Sequence, residues 1–291
     1  MAKLRYRFTN DTLFKILFVK YPDLLKRLVA NILKISAESI AEFAITNPEV
    51  PPETVGDKFC RLDVNMLVDG QRVDLEVQIS DEGDFPERSL YYWAREYSSA
   101  LGEGKEYISL PRTIIICIVG FEMFDCAEFH SEFHALEVTR HTPLTDKFAM
   151  HYFELPKVPK TLAKDDELKL WLSLFNARTE EELRQIEALE VPVMSQAIVA
   201  YRSVTADEKF KELERLRERA RHNEASALGN ARRKEREKWQ GALAEKEAQT
   251  TKLIAEKDAQ IAKLIAEKDA QIAKLVARLA ETELGNPPNT E

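Results

Sequence analysis

Glycine is scarce in the 291-residue chain, which contains nine. None of them forms a glycine-rich loop between a strand and a helix, the arrangement that cradles phosphates in P-loop and dinucleotide-binding proteins. Those nucleotide-binding classes therefore have no support in the sequence. Long apolar runs are also missing, since none approaches the roughly 20 residues of a membrane-spanning helix. The N-terminus carries positive charge but no apolar core or small-residue cleavage site, so we expect neither a secretory signal nor a membrane anchor.

Cysteine is equally rare, with three residues at Cys60, Cys117 and Cys126. The number is odd and two of the three lie in strand-like runs, so a disulfide framework is not indicated. Because disulfides persist mainly outside the cytoplasm, we expect a reduced, cytoplasmic protein. Zinc remains an alternative, since Cys126, His130 and His134 are spaced like metal ligands, although no second cysteine pair is nearby.

An excess of positive charge is missing too, because the net charge is −8 at pH 7. This balance is unusual for a nucleic-acid partner, since phosphate contacts require lysine and arginine. Distribution matters more than the sum, and basic residues cluster near the N-terminus and again across residues 215–239. Trp239 in the second cluster could stack on a base, although a solvated helix at the start of a coiled coil is the favoured interpretation.

Two strand-like segments that contain acidic residues dominate what is present. In residues 60–80, "CRLDVNMLVDGQRVDLEVQIS", apolar and polar residues alternate on either side of Asp69-Gly70. Alternation with period two predicts strands, and Asp-Gly predicts a two-residue hairpin turn of type I′. That turn sets the pairing, so Val68 faces Gln71, Asn65 faces Asp74, and Asp63 faces Glu76.

The predicted opposition of Asp63 and Glu76 requires a physical explanation. Directly opposite side chains lie roughly 4.5–5.5 Å apart, where like charges destabilise a sheet. A divalent cation would relieve the repulsion, because Mg²⁺ often binds one or two carboxylates together with substrate phosphate. A solvated sheet face is the alternative, with Arg61 and Arg72 neutralising the acids.

The surrounding chain alternates helices and strands in a definite order. Residues 9–34 are predicted to be helical with a break at Pro22, and a first strand ends at Asn47-Pro48. After the hairpin come an amphipathic helix (85–104) and a continuous apolar strand (112–120), followed by strand segments at 127–140 and 148–156. Residues 161–204 are predicted to be helical, with a capping-box signature at Thr179 and Glu182. The core order is helix, strand, strand, strand, helix, strand.

This order and several short motifs resemble the PD-(D/E)XK nuclease core, and more narrowly the Rpn family of recombination-promoting nucleases, also described as PD-(D/E)XK nuclease family transposases. The matching pieces cover roughly residues 8–160: "NDTLFKILF", "RLDV", "DLEVQ", the "R..YYW..EYSSAL..G..Y" pattern from Arg88 to Tyr107, "TIIICIVGFEMF" and "HYFELPK". The resemblance implies an α/β fold with an αβββαβ restriction-endonuclease-like core.

The resemblance also implies a set of site residues. Asp63 and Glu76 would ligate Mg²⁺, Gln78 would take the place of the usual motif lysine, and Asp11 on the first helix would complete the site. A glutamine amide carries no charge and can only orient by hydrogen bonds, so most of the catalytic burden would fall on metal-bound water. Glutamine here is the family's own variant. The motif's proline is replaced by Leu62, and Asp11 is equally explained as a first-turn acid that stabilises the helix dipole.

The implied function is a metal-dependent DNA endonuclease connected with recombination or mobile elements. The alternative, favoured by the acidic net charge, is a catalytically weak, nuclease-like interaction protein. Whether Asp74, Arg88 and Tyr91 join the site is left open, because ion pairing and packing explain them equally well.

An eleven-residue repeat occupies the C-terminal part of the chain. Residues 255–265 ("AEKDAQIAKLI") and 266–276 ("AEKDAQIAKLV") differ only at the last position. Eleven residues over three turns favour a nearly straight or right-handed coiled coil. A narrow apolar stripe runs along it, so we expect homo-oligomers through this segment. The expected organisation is a nuclease-like domain (1–160), a helical extension (161–204), a long helix or coiled coil (205–284) and a disordered tail (285–291).

Overall fold

The computed structural model describes residues 2–48 and 64–284. The helices are α1 (Asp11–Lys20), α2 (Pro22–Leu33), α3 (Phe85–Ser99), α4 (Glu167–Asn176), α5 (Glu180–Glu187), α6 (Pro192–Ala206) and α7 (Glu208–Leu284). The strands are β1 (Phe43–Ile45), β2 (Val64–Val68), β3 (Gln71–Gln78), β4 (Thr113–Val119), β5 (His130–Phe133) and β6 (Phe148–Glu154). Within the described residues the strands form one six-stranded sheet in the order β1-β2-β3-β4-β6-β5. The fold is therefore mixed α/β with a long C-terminal helix.

The hairpin between β2 and β3 has the predicted register. Val68 pairs with Gln71 and Asn65 pairs with Asp74. Asp69 and Gly70 both have positive φ, 47° and 75°, as a type I′ turn requires. The Asp69 carboxylate also accepts hydrogen bonds from two backbone N–H groups ahead of β1, which ties the turn to the neighbouring chain. Asp63, the expected partner of Glu76, lies outside the described residues.

Strand β3 joins the hairpin to the parallel part of the sheet. It pairs antiparallel with β2 on one side and parallel with β4 on the other, and β4 pairs parallel with β6. All seven residues of β4 are buried, as expected for a parallel strand covered on both faces. The crossover from β3 to β4 is α3, which packs on one face of the sheet.

The two faces of the sheet differ in composition. On one face, alternate residues of the central strands such as Val73, Leu75 and Ile116 join a large apolar core to which α1, α2, α4 and α6 contribute. We call this the apolar face. The other face carries Asp74 and Glu76 on β3, lies under α3, and is called the acidic face. Its apolar contacts form a smaller cluster of Phe85, Ile115, Cys117, Val119, Met150 and Tyr152.

Three predicted elements are shorter than the sequence pattern indicated. Helix α3 ends at Ser99 rather than near Gly104, and β1 spans only three residues. In the segment predicted as strand from 127 to 140, only His130–Phe133 forms a strand. The following chain forms a loop that is closed by an isolated bridge between Leu136 and Pro143. His141, with a φ of 55°, lies within this loop. The alternation of aromatic residues predicted an extended chain in this segment. It could not show which of those residues pair with β6.

Helix α7 contains both a packed beginning and a solvent-exposed continuation. In its first turns Phe210, Glu214 and Arg217 are buried, and Arg217 Nη1 lies 3.1 Å from Thr12 Oγ1. The chain divides into two compact units, Met1–Ala220 and Arg221–Glu291. In the second unit the repeat's apolar residues are more than half exposed, for example Ile261 at 53% and Leu264 at 57%. The coiled coil thus stays a prediction. No helix in the described part of the chain is long and apolar enough to span a membrane.

A hydrogen bond between distant segments fixes the N-terminus against α6. The Tyr201 hydroxyl donates to the Tyr6 carbonyl oxygen at 2.7 Å, and the Tyr201 ring stacks on Phe8 with the ring centroids 4.5 Å apart. Burial raises the pKa of Tyr201 to about 12. An unfolded chain has a tyrosine pKa of about 10. The folded state therefore retains a proton that the unfolded state loses between these values.

Replacing Tyr201 with phenylalanine should lower the free energy of unfolding at neutral pH by about 1 kcal/mol, the usual net contribution of one hydrogen bond. In the wild type, the stability gained from the raised pKa of Tyr201 is complete below about pH 10 and is lost as the pH rises toward about 12. Tyr201→Phe lacks this contribution, so its free energy of unfolding should fall less over that range. Denaturant unfolding at about pH 8 and about pH 11 measures both effects.

The matched control is Tyr107→Phe, because the Tyr107 side chain is exposed. Tyr107→Phe should leave the free energy of unfolding and its pH dependence at their wild-type values. An identical pH dependence in wild type and Tyr201→Phe would contradict the assignment.

Candidate functional site

Two carboxylates lie buried on the acidic face. Asp74 and Glu76 alternate along β3, and each side chain is only 4% exposed. In the β4 register, Asp74 pairs with Ile115 and Glu76 pairs with Cys117. Burial raises the pKa of the Cys117 thiol well above its usual value, and the charges of Glu76 and Asp74 raise it further. The effect on Cys117 indicates that both acids contribute negative potential to this interior.

Gln78 ends β3 on the same face. Its Nε2 donates to the Ser80 carbonyl oxygen at 2.7 Å, which leaves Oε1 as the acceptor end of the amide. The Gln78 carbonyl oxygen in turn accepts a hydrogen bond from the Gly120 N–H at 2.9 Å. A Cβ at Gly120 would lie 3.0 Å from the Ile79 carbonyl oxygen, so glycine allows β3 and the end of β4 to approach closely here. Both strands are thereby fixed at the edge where Gln78 meets solvent.

Arg88 in the first turn of α3 provides positive charge near the acids. Its Nη1 lies 2.6 Å from Glu82 Oε2 and 3.6 Å from Asp84 Oδ1, and its guanidinium sits 5.0 Å from the centre of the Phe85 ring. Arg88 also lowers the pKa of Cys117, which places its charge within range of the Glu76 neighbourhood. Its Nε and Nη2 are buried and have no hydrogen-bond partner among the described residues. Tyr91, by contrast, is 61% exposed.

A cavity of about 120 Å³ adjoins Asp74 between the hairpin and α3. Its polar lining includes Asn65, Arg72, Asp74 and Glu96. Arg72 Nη1 contacts the Glu96 carboxylate at 3.4 Å and the Ser99 hydroxyl at 2.8 Å. The Arg72 charge is therefore shared with α3, a contact that the alternative of pure neutralisation within the hairpin did not include. Arg61, the other arginine of that alternative, lies outside the described residues.

Asp11 occupies a different element from the β3 acids. It is exposed in the first turn of α1, directly after Asn10, whose side chain accepts a hydrogen bond from the Leu13 N–H at 2.9 Å. The buried side of α1, including Leu13 and Leu17, belongs to the core of the apolar face. Over the described residues, Asp11 and Glu76 do not belong to any group of three closely spaced ligand-type side chains. The structure thus brings Asp74, Glu76 and Gln78 together on β3, while Asp63 lies outside the described residues.

Sequence reasoning did not identify Asn65 and Glu96 as part of this neighbourhood. Their side chains approach each other to 3.5 Å beside Asp74. A signal existed for both: the hairpin register places Asn65 opposite Asp74, and Arg88 and Glu96 are eight residues apart on α3, which places them on one helix face. Sequence alone could not show that this face of α3 covers the acids rather than solvent.

The predicted zinc alternative was wrong in its ligand set. Cys126 is exposed, and its Sγ lies 3.7 Å from Lys157 Nζ rather than near a histidine. Over the described residues, the ligand-type cluster that includes His130 contains Glu132 and His151 instead. Lys157 Nζ itself lies 2.9 Å from the buried Glu154, which also accepts hydrogen bonds from the Met123 and Phe124 N–H groups.

Comparison with known families decides the wider assignment. Residues 8–231, about three quarters of the chain, match the model of the PD-(D/E)XK nuclease family transposases. The chain belongs to this family. The predicted membership is therefore confirmed, and it points to a nuclease linked to transposition. No curated protein and no solved structure shows significant similarity to the chain.

The match to the PD-(D/E)XK nuclease family transposases is longer than the resemblance seen in the sequence motifs. That resemblance ended near residue 160, whereas the match continues through α4, α5 and α6 into α7. The structure gives the reason, because buried residues of α4 and α6 such as Trp171 and Ile198 belong to the same core as α1 and the sheet. The eleven-residue repeat starts beyond residue 231 and lies outside the match.

Proposed function

We propose that this transposase-family protein is a metal-dependent DNA endonuclease that hydrolyses phosphodiester bonds in recombination or mobile-element movement. Asp63 and Glu76 would hold Mg²⁺, Gln78 would orient water or phosphate, and Asp11 would complete the site. The observation that carries the proposal is the buried Glu76 carboxylate on β3, two residues before Gln78, in an interior where the charges of Glu76 and Arg88 both act on Cys117. Membership in a nuclease family supports the reaction class, and the resemblance of the hairpin to the family's motif supports the residue assignments.

The donor set near Glu76 suits a hard divalent cation. Mg²⁺ prefers carboxylate, carbonyl and water oxygens, and the acidic face offers the carboxylates of Glu76 and Asp74 and the amide oxygen of Gln78. An ion at this position would contribute a lowered pKa for bound water and polarisation of the scissile phosphate. The residues therefore fit the metal that the family implies.

The chain's own side chains have separable roles. The Gln78 amide is oriented by its hydrogen bond to the Ser80 carbonyl, so its Oε1 is available to accept from a water proton. Glutamine cannot supply the positive charge of the usual motif lysine. Arg88 can, because arginine is a cation, and its Nε and Nη2 have no hydrogen-bond partner among the described residues. We assign Arg88 to the substrate phosphate.

DNA binding would rely on local rather than net charge. The basic segment at residues 215–239 lies on α7, and most of it is exposed. Lysine and arginine there can contact phosphates despite the net charge of −8, and such binding weakens steeply with added salt. Homo-oligomers formed through the repeat would present more than one such segment to the same DNA.

A second candidate function is a catalytically weak interaction protein. The exposed apolar stripe of the repeat favours it, because a partner or a second copy would cover residues such as Ile261 and Ile272. The two candidate functions differ in whether the protein cleaves DNA efficiently. A plasmid-nicking assay with Mg²⁺ and with EDTA separates them.

Glu76→Gln should abolish metal-dependent stabilisation and cleavage together. In the wild type, Mg²⁺ or Mn²⁺ at a hundredfold excess over Kd should stabilise the native state by about 2.7 kcal/mol, seen as a rise in Tm. Glu76→Gln should remove that rise and reduce plasmid nicking by more than about 100-fold. Losses of about 10- to 100-fold are typical of residues that only orient a metal ligand, so a direct ligand should cost more. Without metal the variant should be as stable as the wild type or slightly more so, since a buried negative charge is removed.

Glu87→Gln on the exposed side of α3 is the matched control and should retain both properties. Nicking by Glu76→Gln at the wild-type rate in Mg²⁺ would show that this hairpin is not the nuclease site.

Arg88→Met should reduce nicking while the Mg²⁺-dependent rise in Tm persists, because Arg88 is assigned to phosphate and not to the metal. Arg88→Lys should recover part of the activity, since it restores charge without the planar donor fork. Arg95→Met, an exposed position on the same helix, serves as the control. Equal activities of Arg88→Met and the wild type would remove Arg88 from the site.

The stripe of the repeat should determine the oligomeric state. In the full chain, Ile261→Glu with Ile272→Glu should lower the subunit count measured by light scattering, because charge would enter the helix contact. Lys263→Glu with Lys274→Glu changes charge on the opposite side of the same repeats and should leave the count unchanged. Equal counts for wild type and the isoleucine variant would refute association through this stripe.

A further inference from the structure

A cluster of histidines and one glutamate lies at the edge of the sheet, on the apolar face. His130 and Glu132 are two residues apart on β5, and Glu132 pairs directly with His151 on β6. Residues two apart on a strand and a directly opposite residue share one face, so all three side chains project from the same side of the sheet. His151 also pairs with Ile116 of the apolar core. The cluster is thus on the other side of the sheet from Glu76.

The spacing of the two histidines matches that of a tetrahedral metal site. His130 Nε2 lies 3.1 Å from His151 Nδ1, and one potential ligand atom from each of the three residues lies within 4.8 Å of the others. Two nitrogens bound to zinc at 2.0–2.1 Å in tetrahedral geometry are separated by roughly 3.3 Å. A bound ion would therefore require only small side-chain movements.

Neighbouring groups hold the three side chains in place. The His130 ring stacks on Phe153 with the ring centroids 4.3 Å apart and lies parallel to His151 at 5.4 Å. The Glu132 carboxylate lies 2.7 Å from His134 Nε2, whose other nitrogen faces the Phe148 carbonyl oxygen at 3.3 Å. Hydrogen bonds from outer groups of this kind orient ligands at metal centres.

His151 is the most deeply buried of the three residues. It is only 3% exposed, its Nδ1 faces His130, and its Nε2 has no hydrogen-bond partner among the described residues. A cavity of about 130 Å³ adjoins His151 and Glu132.

We propose that His130, Glu132 and His151 form a binding site for a divalent transition-metal ion of the zinc class, separate from the nuclease site. Two imidazoles and one carboxylate favour zinc over Mg²⁺ or Ca²⁺, which prefer oxygen ligands. Lys34 and Arg112 line the adjoining cavity and would repel an ion held by charge alone. Affinity must therefore come from the nitrogen donors, which selects the zinc class.

Three protein ligands leave one coordination position for water or a small anion. The cations of Lys34 and Arg112 in the cavity favour an anionic occupant of that position. Binding would also join β5, an edge strand paired only with β6 in the described sheet, to its neighbour through side chains as well as backbone. Zinc should consequently raise the Tm of the full chain.

The test uses the full-length Glu76→Gln protein, in which we expect the proposed nuclease site to contribute no metal binding. After removal of metal with EDTA, titration calorimetry with ZnCl₂ should give one ion per chain. His130→Gln or Glu132→Gln in the same background should weaken binding by roughly 100-fold or more, and His134→Gln by roughly 10- to 100-fold. His222→Gln, an exposed histidine on α7, should have no effect.

Co²⁺ identifies the ligands in the same protein. The proposal expects visible d–d absorption without a thiolate charge-transfer band, and loss of that absorption in His130→Gln. His130 and Glu132 are partly exposed, so these variants should fold, which circular dichroism checks. Absence of stoichiometric zinc binding, wild-type affinity in His130→Gln, or a thiolate band from cysteine would each overturn the site. Neither zinc titration nor Co²⁺ absorption depends on DNA cleavage, which keeps this test independent of the nuclease proposal.

Discussion

The position of β3 between β2 and β4 is the constraint on which the rest of the structure depends. A strand with hydrogen-bonded neighbours on both sides cannot shift by one residue without moving all of its apolar side chains to the wrong face. Val73 and Leu75 must therefore enter the apolar core, and Asp74 and Glu76 must face α3. The burial of the two acids is a consequence of this pairing. The pairing also determines which charged side chains lie near them.

Some of the charged groups near these carboxylates come from a separate element. Helix α3 places the Arg88 charge within range of Cys117, the β4 residue that pairs with Glu76, and its Glu96 contacts Arg72 of β3. Because α3 is the crossover between parallel strands, its placement over this face is fixed by the right-handed connection that such units adopt. The same placement leaves two donors of Arg88 without hydrogen-bond partners among the described residues. An interior that contains buried acids and these two Arg88 donors is better suited to binding a charged ligand than to apolar packing.

The two faces of the sheet carry two different sets of potential metal ligands. Oxygen donors gather on β3 under α3, whereas imidazole nitrogens gather where β5 meets β6 on the apolar side. Since hard ions select oxygen and zinc-class ions accept nitrogen, the two proposed sites would not compete strongly for the same ion. One catalyses in the proposed function, and the other would secure an edge strand. The sheet between them would keep an ion at either site from contacting the ligands of the other.

The sequence by itself determined the features that depend on neighbours along the chain. Asp69-Gly70 fixed the hairpin register, Thr179 with Glu182 predicted a capping box that the structure contains, and the motifs identified the family. Only the tertiary structure decided that α3 covers the acids, that His151 meets His130, and that α4 and α6 complete the core. The physical reason is that turn geometry and side-chain periodicity are local, whereas these contacts join residues far apart in the chain. Their formation depends on how helices and parallel strands pack, and no short pattern records that.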